Sequence, residues 1–127
     1  MVTGIEHIAI ASPDPLKLAQ WYAQHLDFRI NFQPPNSRIV FIRAADGSMI
    51  EILDTTSVLP GVPGMRDPGL RHLALKVDDF DAVYARLQAA GASFLTEPDR
   101  SGGNALVFFA DPDGNLLHLL QRGTPLP

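Results

Sequence analysis

Apolar residues alternate with polar or small ones over 5–11, then recur at helical spacing as Leu18, Trp21, Tyr22 and Leu26. A period of two marks a strand and a period of three to four marks an amphipathic helix. The helix is predicted over about 15–25, with Asp14 as N-cap and Pro15 preset for the first helical position. Strands are predicted near 28–33, 39–44 and 49–53. The same order returns further along: a strand at 70–77, a helix capped by Asp78 or Asp79 with Phe80, Val83, Leu87 and Ala90 facing inward, and Gly91 as its stop. Strands near 93–97, 105–110 and 115–122 complete a second βαβββ unit. The stretch 59–69, with three prolines and three glycines, reads as the connector between the units.

The two halves also match residue by residue. Gly4-Ile5-Glu6-His7-Ile8-Ala9-Ile10 lies over Gly69-Leu70-Arg71-His72-Leu73-Ala74-Leu75 at an offset of 65, which sets His7 over His72. At an offset of 67, residues 39–53 lie over 106–120, so that Glu51 lies over His118. Two ordered matches identify an internal repeat.

Strand alternation then sorts the faces. Ile8 and Ile10 oppose His7, which shares its face with Ile5 and Ala9; Leu73, Leu75 and Val77 oppose His72; Ile50 and Ile52 oppose Glu51; Leu117 and Leu119 oppose His118. The apolar faces suit a covering helix. Four side chains able to bind metal therefore occupy equivalent opposite faces. A carboxylate between Ile50 and Ile52 is expensive to bury without a partner, and a divalent cation would supply one. Imidazole nitrogen and carboxylate oxygen suit Zn, Ni, Mn, Co or Fe. His25 ends the first helix, where the helix dipole accounts for it.

Composition narrows the functions. Hydrophobic residues make up 46% and charged residues 19% of 127 positions, an ordinary folded composition of single-domain size. The net charge of −4 with no basic run argues against a nucleic-acid partner. Without cysteine there is no disulfide, thiol nucleophile or thiolate metal site. No apolar run approaches the roughly 18 residues of a membrane span. Glu6 and His7 stand where a signal peptide would need its apolar core, which makes cytoplasmic the expectation. Phosphate-binding glycine loops, dinucleotide fingerprints and Gly-x-Ser-x-Gly elbows are absent. Phe32, Phe41, Phe108 and Trp21 are candidate pocket walls. Arg38, Arg43, Arg100 and Arg122 are candidate anion anchors.

The motif 5–10, the Trp21-Tyr22 pair before Leu26, Arg71-His72-Leu73-Ala74 and Asp111-Pro112-Asp113-Gly114-Asn115-Leu116-Leu117 together resemble the vicinal oxygen chelate superfamily. This group includes glyoxalase I, methylmalonyl-CoA epimerase, extradiol dioxygenases and the fosfomycin and bleomycin resistance proteins. The resemblance covers nearly the whole chain. It implies an α+β fold of two tandem βαβββ units, forming a cupped mixed β-sheet with helices on the outer face. The domain expected is single, over 1–127, with unit one at about 4–54, a connector at about 55–68 and unit two at about 69–122.

In the metal enzymes of that superfamily the ligands come from the first and last strands of each unit, the positions of His7, Glu51, His72 and His118. His118 departs from the pattern, because glutamate usually stands there. With neutral histidines the set leaves a divalent site at a charge of +1, making the metal a stronger Lewis acid. It also leaves Glu51 as the one acidic candidate for proton transfer. The resemblance implies a metal-dependent glyoxalase-like isomerase, epimerase or lyase, acting through an enediolate on a small α-oxo or α-hydroxy carbonyl compound. The alternatives are a ferrous extradiol-type dioxygenase and a non-catalytic small-molecule-binding protein. A homodimer is expected, since the family usually pairs four units across an interface.

Overall fold

The computed structural model describes residues 1–56, 64 and 66–127. The expected connector falls largely on 57–63 and 65, outside the described residues. Two compact units are present, Met1–Val58 and Leu59–Pro127.

In unit one the elements are β1 (His7–Ser12), α1 (Pro15–His25), β2 (Arg29–Phe32), β3 (Val40–Arg43) and β4 (Met49–Asp54). They form a four-stranded sheet in the order β1-β4-β3-β2, with β1 parallel to β4 and the other pairs antiparallel. Asp14 caps α1 by accepting a hydrogen bond from Lys17 N at 3.2 Å, and Pro15 takes the first turn as the sequence predicts. Leu18, Ala19 and Tyr22 of α1 are buried, as are Val40, Ile42, Ile50 and Ile52 on one face of the sheet. Burying that face is the main stabilising term, about 1.5–3 kcal/mol for each large aliphatic or aromatic side chain.

Unit two repeats the plan: β5 (Leu73–Lys76), α2 (Phe80–Ala89), β6 (Ser93–Phe94), β7 (Ala105–Ala110) and β8 (Leu116–Gln121). Its sheet order is β5-β8-β7-β6, again with one parallel pair, β5 with β8. Asp79, rather than Asp78, caps α2 through Ala82 N. Gly91 closes the helix in the left-handed region at φ 73°, while Ala92 N donates to Leu87 O and Gly91 N to Gln88 O. That is the paired bonding of a Schellman stop. Phe80, Leu87, Val107, Phe109, Leu117 and Leu119 make the core.

The repeat is reproduced in the strand register. Ile8 pairs with Ile50 and Ala9 with Glu51; Leu73 pairs with Leu117 and Ala74 with His118. The hairpins match as well: Ala44 N to Ser48 O and Gly47 N to Ala44 O recur as Asp111 N to Asn115 O and Gly114 N to Asp111 O.

Three local expectations are corrected. The first strand begins at His7, because His7 is the first residue with a partner on β4, and Ile5 stays exposed. The strand expected at 70–77 is only Leu73–Lys76, so His72 precedes it and Leu70 is exposed. Ala90 does not face inward: it is the exposed C-cap of α2. No helix among the described residues is long and apolar enough to cross a membrane.

Candidate functional site

The core face of each sheet is covered by its own helix; His7, Glu51 and His118 stand on the opposite faces, and His72 lies just before β5. In unit one, β1 and β4 run parallel in a register that brings His7 beside Met49 and Ala9 beside Glu51. The His7 and Glu51 side chains, 34% and 20% exposed, meet with Nε2 and Oε2 3.1 Å apart. The other ring nitrogen, Nδ1, is bonded to the Glu6 carboxylate. His7 is held above the usual histidine pKa, first by that Glu6 hydrogen bond and then by the Glu6 and Glu51 charges, against an opposing effect of burial. The Phe41 ring stands edge-on to His7 at 5.9 Å, and Phe32 follows at 5.9 Å from Phe41.

In unit two, the His72 and His118 rings lie 5.5 Å apart. His118 stacks on Phe108 at 4.3 Å and 13°, and His72 meets Phe108 edge-on at 5.4 Å. Both His118 ring nitrogens are buried without a hydrogen-bond partner among the described residues. Burial, followed by the charges of His72 and Arg122, pushes the His118 pKa below its usual value. His118 is therefore a neutral imidazole at pH 7, with its polar atoms unused.

Imidazole nitrogen and carboxylate oxygen are donor types that a divalent cation takes. Metal-bound histidines commonly give their second ring nitrogen to a carboxylate, which fixes the tautomer; Glu6 holds His7 in that way and turns Nε2 toward Glu51. An orphaned buried imidazole is costly, about 1–3 kcal/mol, unless something binds it. Among the described residues the four candidates stand as two pairs, and no group of three or more metal-binding side chains converges. His25 sits against Trp21 in the last turn of α1.

Glu6 was not among the sequence candidates, although its adjacency to His7 is the signal that points to it. Among the arginines, Arg38 is bound to Pro13 O, and Arg100 is paired with Asp81 and stacked over Phe80.

Two βαβββ repeats in tandem, each with a four-stranded mixed sheet of the same strand order, give the fold of the vicinal oxygen chelate class. A model of the Glyoxalase/Bleomycin resistance protein/Dioxygenase superfamily matches residues 4–119, and the chain belongs to that superfamily. Over 62 residues, 46% of this chain, it is 36% identical to the lactoylglutathione lyase GLX1 of Arabidopsis thaliana. That match spans only 22%, about a fifth, of the plant protein. Over 123 residues, 93% of this chain and 95% of the relative, it is 29% identical to the uncharacterized protein YaeR of Escherichia coli strain K12. The fold is shared with a glyoxylase/bleomycin resistance protein/dioxygenase domain from Frankia sp. EAN1pec, at a TM-score of 0.78 and 22% identity over 96% of this chain and 93% of that one.

Proposed function

We propose that the protein is a metal-dependent, glyoxalase-like isomerase, epimerase or lyase acting on a small α-oxo or α-hydroxy carbonyl compound. The observation that carries the reading is His118, at the repeat position equivalent to Glu51, whose buried ring nitrogens have no hydrogen-bond partner among the described residues. Under this proposal His7, Glu51, His72 and His118 hold a divalent cation. When bound, the cation supplies positive charge that stabilises negative charge developing on substrate oxygens.

The chain's own residues supply the rest. Glu51 takes a proton from the carbon beside the substrate carbonyl and returns it to the neighbouring carbon, as general base and then general acid. Glu6 keeps the Nδ1 proton on His7 and so presents Nε2 toward Glu51. Phe41 and Phe32 place apolar surface beside that pair and reduce water access to it.

The test begins with metal analysis of protein purified without added ions, for the parent and for His7→Ala, His72→Ala and His118→Ala. Stoichiometric divalent metal in the parent and loss in the variants supports the site. Folded variants with unchanged metal content overturn it. Deuterium incorporation from heavy water into α-oxo compounds, lost in Glu51→Gln, supports proton transfer. Oxygen consumption in its place identifies a dioxygenase, and metal-free protein that binds small molecules without turnover identifies a carrier.

A further inference from the structure

The face of the unit-one sheet that carries His7 and Glu51 continues across two more strands. By register, His7 stands beside Met49, Met49 beside Arg43, and Arg43 beside Arg29. One row across the sheet thus runs from the candidate metal ligand to two arginines directly opposite each other. Like charges in such cross-strand positions repel. Among the described residues neither arginine forms an ion pair with a carboxylate. Arg43 donates to the Gly47 carbonyl at 3.2 Å and to the Met49 thioether sulfur at 3.1 Å, a weak acceptor for a half-buried guanidinium. Arg29 is exposed and makes no hydrogen bond or ion pair among the described residues.

Both line an open cavity of about 500 Å³, closed at one end by the 44–47 turn. Asp27 and Asp46 also line it, but Asp46 Oδ1 is already engaged by Ser48 N and Ser48 Oγ. The next row of the same face is aromatic, with Phe41 opposite Phe32.

We infer that Arg43 and Arg29 form an oxyanion-binding subsite, which takes a carboxylate or phosphate group at the end of the substrate remote from its reacting carbonyl. The oxyanion relieves the repulsion between the two guanidinium groups and replaces sulfur with a matched acceptor for the planar fork. With strands about 4.8 Å apart, Arg43 lies about 10 Å from His7 across the sheet. That spacing defines a substrate with its anionic group several bonds from the carbonyl and an apolar segment between them, lying along Phe41 and Phe32. The assignment of the anion to the substrate rests on the reading of His7 and Glu51 as the reactive end.

Calorimetric titration with inorganic phosphate and, separately, acetate at low ionic strength tests the subsite in the parent and in Arg29→Met, Arg43→Met and Arg43→Lys. Saturable binding is expected, weakened about tenfold or more by either methionine variant, with Arg43→Lys also impaired because an ammonium lacks the fork. The stronger of the two probes identifies the anion as phosphate or carboxylate. Arg29 makes no side-chain bond among the described residues, so Arg29→Met folds, and without anion its melting temperature rises because the repulsion is gone. Parent-like phosphate and acetate affinity in Arg29→Met and Arg43→Met overturns the inference, as does an Arg29→Met melting temperature below that of the parent. Metal content measured on the same preparations separates the two failures: loss of anion binding with metal retained concerns the arginines alone, whereas absent metal with anion binding retained concerns the proposed chemistry alone.

Discussion

Replacing His118 by Phe should have opposite effects on stability with and without metal. The substitution keeps the stack on Phe108, now as an aromatic pair, and deletes two buried nitrogens that have no partner among the described residues. Relieving an unsatisfied buried group is worth about 1–3 kcal/mol, and the slightly larger ring takes back part of it, so a net gain of about 1–2 kcal/mol is expected in excess chelator. With metal at a hundredfold excess over its dissociation constant, the parent gains about 2.7 kcal/mol by mass action. A variant whose metal affinity has fallen a hundredfold gains only about 0.4 kcal/mol by the same relation. The order therefore reverses: His118→Phe is the more stable protein in chelator and the less stable by about 0.3–1.3 kcal/mol with metal. Urea denaturation under both conditions reads this directly. The pH dependence adds a second signature. Because the folded His118 pKa lies below the unfolded 6.5, the unfolded chain takes up the proton first as pH falls. The parent then loses stability below 6.5 until the folded pKa is passed. His118→Phe lacks that loss. Destabilisation by 1 kcal/mol or more in chelator, or an undiminished metal effect, would refute the reasoning.

Other substitutions test particular contacts. Asp111→Ala removes a nearly buried carboxylate that accepts bonds from Asp113 N, Asn115 N and Asn115 Nδ2 at 3.0, 2.9 and 2.8 Å, and should cost about 2–4 kcal/mol in urea unfolding. Gly123→Ala places a Cβ 2.5 Å from Gly103 O, a backbone atom, and should lower stability by about 1–3 kcal/mol in the same assay. Glu6→Gln should weaken metal binding about 10- to 100-fold by calorimetry without unfolding the chain. His7 has a raised folded pKa, so its contribution in metal-free protein is present below pH 6.5 and lost as pH rises through the folded value; His7→Gln should flatten that alkaline decline in thermal melts.

The repeat was legible because it is written in identities and spacing. The offsets of 65 and 67 predict which residues share a register, and the pairs Ala9–Glu51 and Ala74–His118 obey them. Helix starts were legible at Asp14 and the stop at Gly91, since caps are local chemistry. Strand ends were not, because a strand ends where its partner does: His72 has the alternation of a strand residue but precedes the ladder that opens at Leu73 and Leu117. The Arg29–Arg43 opposition was hidden for a related reason. It depends on the antiparallel register of β2 and β3, which shifts between Ile30 and Phe32, and neither residue signals the other along the chain. Candidate ligands could be placed on faces, but not the bonds that distinguish them, such as Glu6 on His7 and the stack of Phe108 on His118.

Those bonds make the two repeats chemically unequal. At one register position unit one carries Glu51 and unit two carries His118, and the environments have diverged with them. The carboxylates around His7 stabilise its protonated form, whereas burial, His72 and Arg122 disfavour protonation of His118. A proposed ligand must be free of its proton to bind metal. Unit two thus offers His118 already neutral near pH 7, while His7 competes with a proton held between two carboxylates. The same carboxylates compensate for that competition, because they attract a divalent cation more strongly than they attract a single proton charge. Under the proposed metal site, His118 would enter as an uncharged donor and the carboxylates beside His7 would supply the negative charge. For the proposed set of three histidines and one glutamate, Glu6 would then restore beside His7 part of the negative charge that His118 does not supply.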